Sequence, residues 1–439
     1  MRHSISLSGK IFLLVLPLVF SILFSQDRFP RPEFDTDYSK PFTQTPSPDS
    51  LLIEIVDVVV MAIALGLAVF FIIRKRSRNS IYLLSLFSLL YFGFWRKGCI
   101  CPIGSTQNIV QALSDPLYFI PLNALLIFAL PLITALFFGR AFCAGVCPMG
   151  AAQELVLYKP VKVPQWIAVP LSLIPYVFLG LTVLYTATGT GYITCQLDPF
   201  VAFFRFGGEL NMIIFGLLFL VLGIFVGRPY CRFFCPYGVL LGWMSKFSKW
   251  HLAITPDHCT QCRLCEESCP YDAINIPVTP VTPTEKRQAG IRMFVLIVVT
   301  ICFVGTGAFV GSISHVYLSK LNPVIKLSEQ VMAEKTDPSI EDTLASRTFH
   351  ESDRELSDLL AEADNLRNQF KTGSILLGIF IGLVIGLKAI AVFFKYGGKD
   401  YEADRTDCFS CGRCMPYCPD EHERQKTLES KQRLYESIG

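Results

Sequence analysis

Long apolar stretches separated by short polar loops are the main pattern of this chain. Seven of them lie between residues 51 and 394, and each approaches the roughly 20 residues that a helix needs to cross a bilayer. They cover residues 51–73, 80–95, 120–138, 167–187, 211–227, 291–311 and 373–394. The pattern predicts an all-α polytopic membrane protein.

Three polar or atypical segments interrupt this pattern. Residues 1–25 have a basic start and an apolar stretch that is short for a span, which is typical of a signal peptide or an N-terminal anchor. Residues 26–50 are polar and carry five prolines, so we expect an extended segment. Residues 312–372 are polar with leucines at helical spacing, and predict a helical hairpin that is either a solvated connector or a docking surface.

Lysine and arginine residues in the loops predict the orientation. Four of the five residues from Arg74 to Arg78, directly after the first span, are basic. The later loops rich in basic residues are 139–166 and 228–290, and those poor in them are 96–119 and 188–210. Because cytoplasmic loops are enriched in Lys and Arg, the basic loops are predicted to face the cytoplasm of a bacterial inner membrane.

Composition agrees with a membrane location and excludes some functions. Of 439 residues, 52% are hydrophobic and 17% are charged, whereas a soluble protein carries about 25% charged residues. The net charge of +3 and the absence of a basic run interleaved with aromatic residues argue against nucleic acid as a partner. The spans hold few ionisable residues, which argues against a channel or transporter.

The 16 cysteines carry the chemistry, and eight of them form two ladders with the spacing C-x2-C-x2-C-x3-C-P. The ladders are Cys259, Cys262, Cys265 and Cys269, and Cys408, Cys411, Cys414 and Cys418. This is the bacterial ferredoxin spacing, in which the fourth cysteine ligates the other cluster. Structural zinc sites prefer two separated C-x2-C pairs, and disulfides need no such regularity.

By that analogy, the two ladders exchange their fourth cysteines. One [4Fe–4S] cluster takes Cys259, Cys262, Cys265 and Cys418, and the other takes Cys408, Cys411, Cys414 and Cys269. Two spans separate the ladders, so the chain returns to the side that it left. The sequence therefore predicts a small cytoplasmic two-cluster ferredoxin module of the α+β class.

A second motif occurs three times and joins an arginine, a Cys-Pro pair and a glycine. The copies are 96–104, 140–150 and 228–238. The last two copies end spans that run in the same direction, so their cysteines are predicted to converge on one further iron–sulfur cluster at the inner side. These cysteines are Cys143, Cys147, Cys231 and Cys235. Buried free thiols are the alternative. The arginines of these copies, Arg140 and Arg228, would offset the charge of a cluster or serve as snorkelling anchors.

The first copy differs from the others and lies at the opposite end of the predicted bundle. Its cysteines, Cys99 and Cys101, are separated by one residue, and Cys195 is the other cysteine expected on that side. These three thiols, with Asp198 or another ligand, predict an outer cluster. Cys302 stands alone in an apolar span and is expected to be a packing residue.

The Cys-Pro repeats and the ladders together resemble the polyferredoxin-type 4Fe–4S membrane proteins. These are related to the nitrous-oxide reductase regulator and to the quinol-dehydrogenase accessory subunit of periplasmic nitrate reductase. The resemblance covers about residues 95–270 and 400–420. Within this group, the chain is similar to members found with flavinylated periplasmic redox proteins, and the stretch 28–34 contributes to that similarity. It implies electron transfer between a cytoplasmic or quinone donor and an extracytoplasmic acceptor. The chain has no recognisable covalent-flavin acceptor stretch, so any flavin would belong to a partner.

The sequence thus predicts transmembrane electron transfer through iron–sulfur clusters in a chain that also contacts membrane lipid. A quinol dehydrogenase subunit, with quinone as a partner, and a metal-reducing assembly factor stay open as alternatives. In chain order, the predicted parts are a signal peptide or anchor (1–25), an extracytoplasmic Pro-rich segment (26–50), a membrane core with the Cys-Pro repeats (51–250), ferredoxin half one (251–290), a span (291–311), an extracytoplasmic helical hairpin (312–372), a span (373–394), ferredoxin half two (395–424) and a cytoplasmic tail (425–439).

Overall fold

The computed structural model describes most of the chain from residue 51 onward. The described ranges are 51–98, 100–207, 210–255, 259–277, 283–337, 340–352, 354–393 and 400–438. The predicted N-terminal segments, 1–25 and 26–50, lie outside the described residues, and so does Cys99. The described part is mostly helical, as the apolar pattern predicted.

The first half of the chain forms a membrane core of long apolar helices joined by short ones. Its helices are α1 (Leu51–Phe70), α2 (Arg78–Ser88), α3 (Pro102–Ser114), α4 (Leu122–Phe138), α5 (Ala141–Gly145), α6 (Pro148–Val156), α7 (Gln165–Leu171), α8 (Ile174–Ala187), α9 (Ile193–Leu197), α10 (Pro199–Arg205), α11 (Leu210–Phe225), α12 (Pro229–Phe233) and α13 (Pro236–Lys246). Two π-helical turns, Phe71–Lys75 and Leu89–Trp95, extend α1 and α2.

The second half alternates small elements with two long helices. They are α14 (Leu264–Ser268), β1 (Ile274–Asn275), α15 (Pro283–Ser319), α16 (Pro323–Thr336), α17 (Leu344–His350), α18 (Leu356–Phe393), β2 (Glu402–Ala403), a 3-10 turn (Met415–Tyr417) and α19 (Pro419–Ile438). The helix α18 runs without a break from the predicted hairpin into the predicted span, and α19 continues across residue 424, where the sequence suggested a boundary.

Among the described residues, four helical segments are long and apolar enough to cross a membrane. They are Leu51–Lys75, Gln165–Ala187, Gly290–Ser319 and Leu356–Val392, and the sharply bent pair α10 and α11 makes a fifth if it acts as one span. The predicted stretch at 80–95 is not among them; it forms part of α2, which begins with polar residues, and a π-helical turn. The stretch at 120–138 is a shorter apolar helix of 17 residues. The chain is a multi-pass membrane protein.

The helix α1 shows how the core is made. Its inward positions recur every three or four residues and are nearly inaccessible, whereas Ile63 and Leu67 on the other side are exposed. The inward residues are Met61, Ala64, Leu65 and Ala68. Since both faces are apolar, the helix packs against protein on one side and presents hydrocarbon to lipid on the other.

A line of glycines brings α15 and α18 into close contact. A Cβ atom on Gly307 would lie 2.1 Å from the backbone oxygen of Gly378, and one on Gly382 would lie 2.2 Å from that of Phe303. Only glycine allows two helix backbones to approach this closely in a membrane. The rest of the apolar stretch of α15 is exposed, so this contact is what attaches the helix.

We expect Gly307→Leu to destabilise the protein by about 1–3 kcal/mol, because the new side chain meets backbone that cannot move aside. Gly305→Leu is the matched control on the same helix, since a Cβ atom there has nothing within 4 Å. Thermal unfolding of both variants in detergent checks the contact. Equal shifts in the unfolding midpoint would show that the glycine line does not hold the hairpin.

Two short strands join the distant halves that carry the cysteine ladders. Strands β1 and β2 pair antiparallel, with Ile274 opposite Ala403. The backbone N–H of Asp404 also donates to the oxygen of Ala273 at 2.9 Å. The hairpin of α15 and α18 lies between these strands in the chain, so the halves that it separates are parts of one folded unit.

Candidate metal centres

The two ladders fold into loops of the same shape. In the first ladder, Gln261 and Arg263, on either side of the second cysteine, have φ values of 53° and 67°. In the second, Ser410 and Gly412 occupy the same places with φ values of 52° and 71°. Residues in this left-handed region turn successive N–H groups toward one side and form the concave nests found at many iron–sulfur sites.

Four cysteines from both ladders line one cavity of about 330 Å³. They are Cys269, Cys408, Cys411 and Cys414, the set predicted for one cluster. Burial, and to a lesser extent the nearby Cys411 thiol, raise the pKa of Cys408 to about 12. Thiols crowded in this way ionise when a cation compensates their charge, so the donor set fits an iron–sulfur cluster.

The set predicted for the other ladder cluster lies at the same end of the unit. Cys262 and Cys259 are close enough to Cys265 to act on its charge, and burial is the main reason why the pKa of Cys265 rises to about 11. The helix α14, which carries Cys265, packs against the 3-10 turn that precedes Cys418. The sharing of Cys418 with the first ladder stays a prediction.

The membrane quartet surrounds a larger cavity of about 530 Å³. Cys143 and Cys231 lie in the short helices α5 and α12, while Cys147 and Cys235 are the N-cap residues of α6 and α13. All four line this cavity. The convergence of two matched pairs makes ordinary packing a poor explanation for these thiols.

The proline and glycine of the repeat have clear local roles. Pro148 and Pro236 occupy the first helical position, where a missing N–H costs nothing. A Cβ atom on Gly150 would lie 3.1 Å from the Cys143 oxygen, and one on Gly238 would lie 3.4 Å from the Cys231 oxygen. Glycine therefore lets each Cys-Pro turn fold back on its own preceding cysteine helix.

The arginines of the two copies are buried beside the quartet. The side chain of Arg228 is inaccessible, and Arg140 is 7% exposed. Within the described structure, Nε of Arg140 and Nη2 of Arg228 have no hydrogen-bond partner. Buried cationic donors are costly unless an anionic group faces them, and a thiolate-ligated cluster is such a group. Snorkelling to the surface, the alternative explanation, does not describe these side chains.

No three Cys, His, Asp or Glu side chains in the described ranges converge as they would around a single metal ion. The thiols instead stand around cavities.

Cys101 is placed closer to the quartet than the sequence suggested. It lines the same cavity as the four quartet cysteines. Cys195 lies near it, because a Cβ atom on Gly104 would be 3.4 Å from the Cys195 sulfur. Cys101 and Cys195 of the predicted outer trio therefore lie near each other, and Cys101 lines the quartet cavity.

Glu154 is a functional residue that sequence reasoning missed. This buried carboxylate in α6 accepts hydrogen bonds from Arg228 Nε at 3.0 Å and Arg413 Nε at 2.7 Å. Arg78 Nη2 donates at 2.5 Å and Tyr271 Oη at 2.8 Å. Burial opposes the charged form, but the three arginines more than offset it and hold the pKa of Glu154 well below its usual range. Glu154 thus ties the quartet to both ladders.

Phe409 separates the two cysteine-lined cavities. Its ring lies in the wall of the quartet cavity and in the wall of the ladder cavity. The guanidinium carbons of Arg140 and Arg228 lie 5.2 and 5.6 Å from the ring centroid. One side chain and two stacked cations therefore form the partition between the two candidate centres.

The basic segment after α1 also contacts the ladder unit directly. Arg76 Nε donates to Glu421 at 2.8 Å and Arg76 Nη2 to the Ile254 oxygen at 2.7 Å. Arg78 Nη1 donates to the Cys411 oxygen at 2.9 Å. These arginines were predicted only as a sign of orientation, but the structure uses them to dock the unit on the bundle.

Family models for 4Fe–4S binding domains match this chain in three places. One matches residues 120–165 and 210–255, which contain the quartet cysteines, and another matches residues 252–275, which contain the first ladder. The chain therefore carries 4Fe–4S binding domains, and its function is iron–sulfur electron transfer.

The relatives found by comparison agree. The chain is 29% identical to an uncharacterised protein of Methanocaldococcus jannaschii, over 45% of this chain and 82% of that protein. It is 29% identical to YccM of Escherichia coli, named as a candidate electron transport protein, over 24% of this chain and 32% of YccM. It is 32% identical to NirI of Paracoccus denitrificans, over 29% of this chain and 19% of NirI. No solved structure matches the chain at a significant level.

Proposed function

Since this chain is a polyferredoxin-type 4Fe–4S protein, we propose that it carries electrons across a bacterial inner membrane. One observation supports this function above the others. The ladder cavity and the quartet cavity share Phe409 as a wall, and Cys101 also lines the quartet cavity. Sites suited to clusters therefore follow one another from the ladder unit into the bundle.

A membrane electron carrier needs such a series. The hydrocarbon core is about 30 Å thick, and electron tunnelling weakens steeply with distance, so a cofactor within the bundle is required. Bound clusters would supply one-electron chemistry. The protein's own residues hold the thiols, exclude water and place the cations Arg140 and Arg228 next to them. Burial, charge and hydrogen bonds to sulfur then set the reduction potentials.

We assign the ladder unit to the cytoplasmic side because the basic residues that follow α1 contact this unit, and such residues favour the cytoplasmic side of a span. A soluble cytoplasmic protein is then the donor, and an extracytoplasmic redox protein, of the flavinylated kind that the resemblance implies, is the acceptor. The exposed Glu423 and Leu344 lie in elements predicted for opposite sides. We expect a membrane-impermeant thiol reagent to label Glu423→Cys in inverted vesicles and Leu344→Cys in intact cells, above the parent background. The reverse pattern would contradict this orientation.

Iron and acid-labile sulfide in the purified protein test the proposed function. We expect about twelve iron atoms per chain or more, about eight from the ladder unit and about four from the quartet. About four iron atoms or fewer in protein purified without oxygen would contradict the proposal.

A further inference from the structure

Two buried glutamines make the same set of contacts in two parts of the bundle. Gln153 Nε2 donates to the Cys231 sulfur at 3.2 Å, and its Oε1 accepts from the Tyr230 N–H at 3.0 Å. Gln107 Nε2 donates to the Cys195 sulfur at 3.1 Å, and its Oε1 accepts from the Thr194 N–H at 3.2 Å. Each glutamine thus holds one cysteine together with the residue before it.

The two glutamines also have equivalent places in the sequence. Each follows the cysteine of a Cys-Pro pair by six residues, Gln107 after Cys101 and Gln153 after Cys147. Both side chains are fully buried. Cys147 and Cys231 belong to the quartet. Cys101 and Cys195 therefore have the same relation to Gln107 that these two quartet cysteines have to Gln153.

A third quartet position, that of Cys235, has an equivalent as well. In the membrane core, among the described residues between 51 and 250, four helices begin with proline directly after an extended N-cap residue, and these caps are Cys101, Cys147, Asp198 and Cys235. The Cys235 sulfur accepts from the Gly238 N–H at 3.3 Å, and Asp198 Oδ1 accepts from the Phe200 N–H at 3.0 Å. Asp198 therefore stands where the quartet has Cys235, three residues after Cys195 instead of four.

A buried polar atom without a partner lies between the two sets. Tyr230 is 2% exposed, and its hydroxyl has no hydrogen-bond partner within the described structure. Its ring packs edge to face against Phe200, two residues after Asp198, with the ring centroids 5.3 Å apart, and Tyr230 directly precedes the quartet residue Cys231. A buried hydroxyl left unpaired is costly, so this position suits a bound group with acceptor atoms.

We propose that Cys101, Cys195 and Asp198 hold a second iron–sulfur cluster, with Gln107 and Gln153 as matched positioning residues for one thiolate in each site. The inference deepens the proposed function, because this second site would be the last one before the extracytoplasmic acceptor. It selects Asp198 from the ligands that the sequence left open for the outer trio, whose Cys99 lies outside the described residues. A hydrogen bond to a ligand sulfur stabilises the reduced cluster, so each glutamine raises the reduction potential of its own site.

Asp198→Asn separates this proposal from a purely structural role. Asparagine keeps the N-cap hydrogen bond to Phe200 but is a poor iron ligand. We expect this variant to lose one electron paramagnetic resonance (EPR) signal and about two to four iron atoms per chain, while Asp198→Cys keeps the iron and shifts the signal. Wild-type iron content and spectra in Asp198→Asn would show that Asp198 is only a helix cap, and would overturn the second site.

Gln107→Leu and Gln153→Leu test the matched positions. We expect each to retain its iron and to shift one reduction midpoint to lower potential. Gln107→Leu should shift the midpoint of the signal that Asp198→Asn removes. Gln153→Leu should shift the midpoint of the signal that depends on Cys143 and Cys231. Shifts of one and the same signal would mean that a single site exists, and no shift in either variant would remove the positioning role.

Failure of this inference differs from failure of the proposed function. If the second site is wrong, the wild-type protein still shows the ladder and quartet signals, and the Asp198 variants match it. If the proposed function is wrong, those signals are missing from the wild-type protein itself.

Discussion

Replacing Cys143 and Cys231 together with alanine is expected to remove one iron–sulfur signal and about four iron atoms per chain. Each cysteine comes from a different copy of the repeat, and both line the cavity of about 530 Å³. Two missing thiolates leave a cluster there with half of its ligands. The ladder thiols lie across Phe409 in a separate cavity, so their signals should persist. EPR spectra of the reduced protein, with iron analysis, make the measurement.

Cys302→Ala is the matched control for this double variant. Cys302 is exposed in the lipid-facing helix α15 and lines neither cavity. Its replacement should change neither iron content nor spectra. If the double variant also retains every signal, the quartet thiols are packing residues. If it loses the ladder signals as well, the two centres are not independently assembled.

Glu154→Gln is expected to destabilise the folded protein by about 3–5 kcal/mol, the usual cost of leaving a buried charge unpaired. Arg228 is inaccessible, and Glu154 is its ion-pair partner at 3.0 Å. The same carboxylate also accepts from Arg413 of the second ladder. Loss of its charge should therefore loosen the ladder unit from the bundle. Thermal unfolding in detergent gives the first effect, and faster proteolysis of the ladder unit gives the second.

A surface ion pair provides the comparison for Glu154. Glu329 lies 3.5 Å from Arg367, and both side chains are about half exposed. Exposed pairs contribute about 0–1 kcal/mol, so Glu329→Gln should leave stability and proteolysis nearly unchanged. Similar behaviour of the two variants would show that Glu154 is not the link between the quartet and the ladders.

Sequence spacing could identify the residues whose roles depend on near neighbours. The ladders and the Cys-Pro pairs repeat at fixed intervals, so both the donor sets and the apolar helices around them were predictable. The sequence predicted a span at 80–95, whereas the structure divides this length between α2 and a π-helical turn, and it is not among the four segments that are long and apolar enough to cross a membrane. Local pattern alone cannot reveal that division.

The contacts between the sites could not be predicted, since they join residues far apart in the chain. Phe409 and Arg140 are 269 positions apart in sequence, yet they stack in the partition between the cavities. Gln107 stands in an ordinary helix, and its meaning depends on Cys195 lying opposite. One sequence sign was available: a glutamine six residues after the cysteine in two of the three copies. Its significance came only from the matching hydrogen bonds.

The glycine-packed hairpin of α15 and α18 also sets an order of events during biosynthesis. Cys269 leaves the ribosome long before Cys408, Cys411 and Cys414, and the cavity that they share does not exist until both hairpin helices are inserted side by side. Iron delivered earlier would find an incomplete donor set. We therefore expect membrane insertion to act as a checkpoint for metallation, because a chain stalled within the hairpin would hold the first ladder without a complete cluster site.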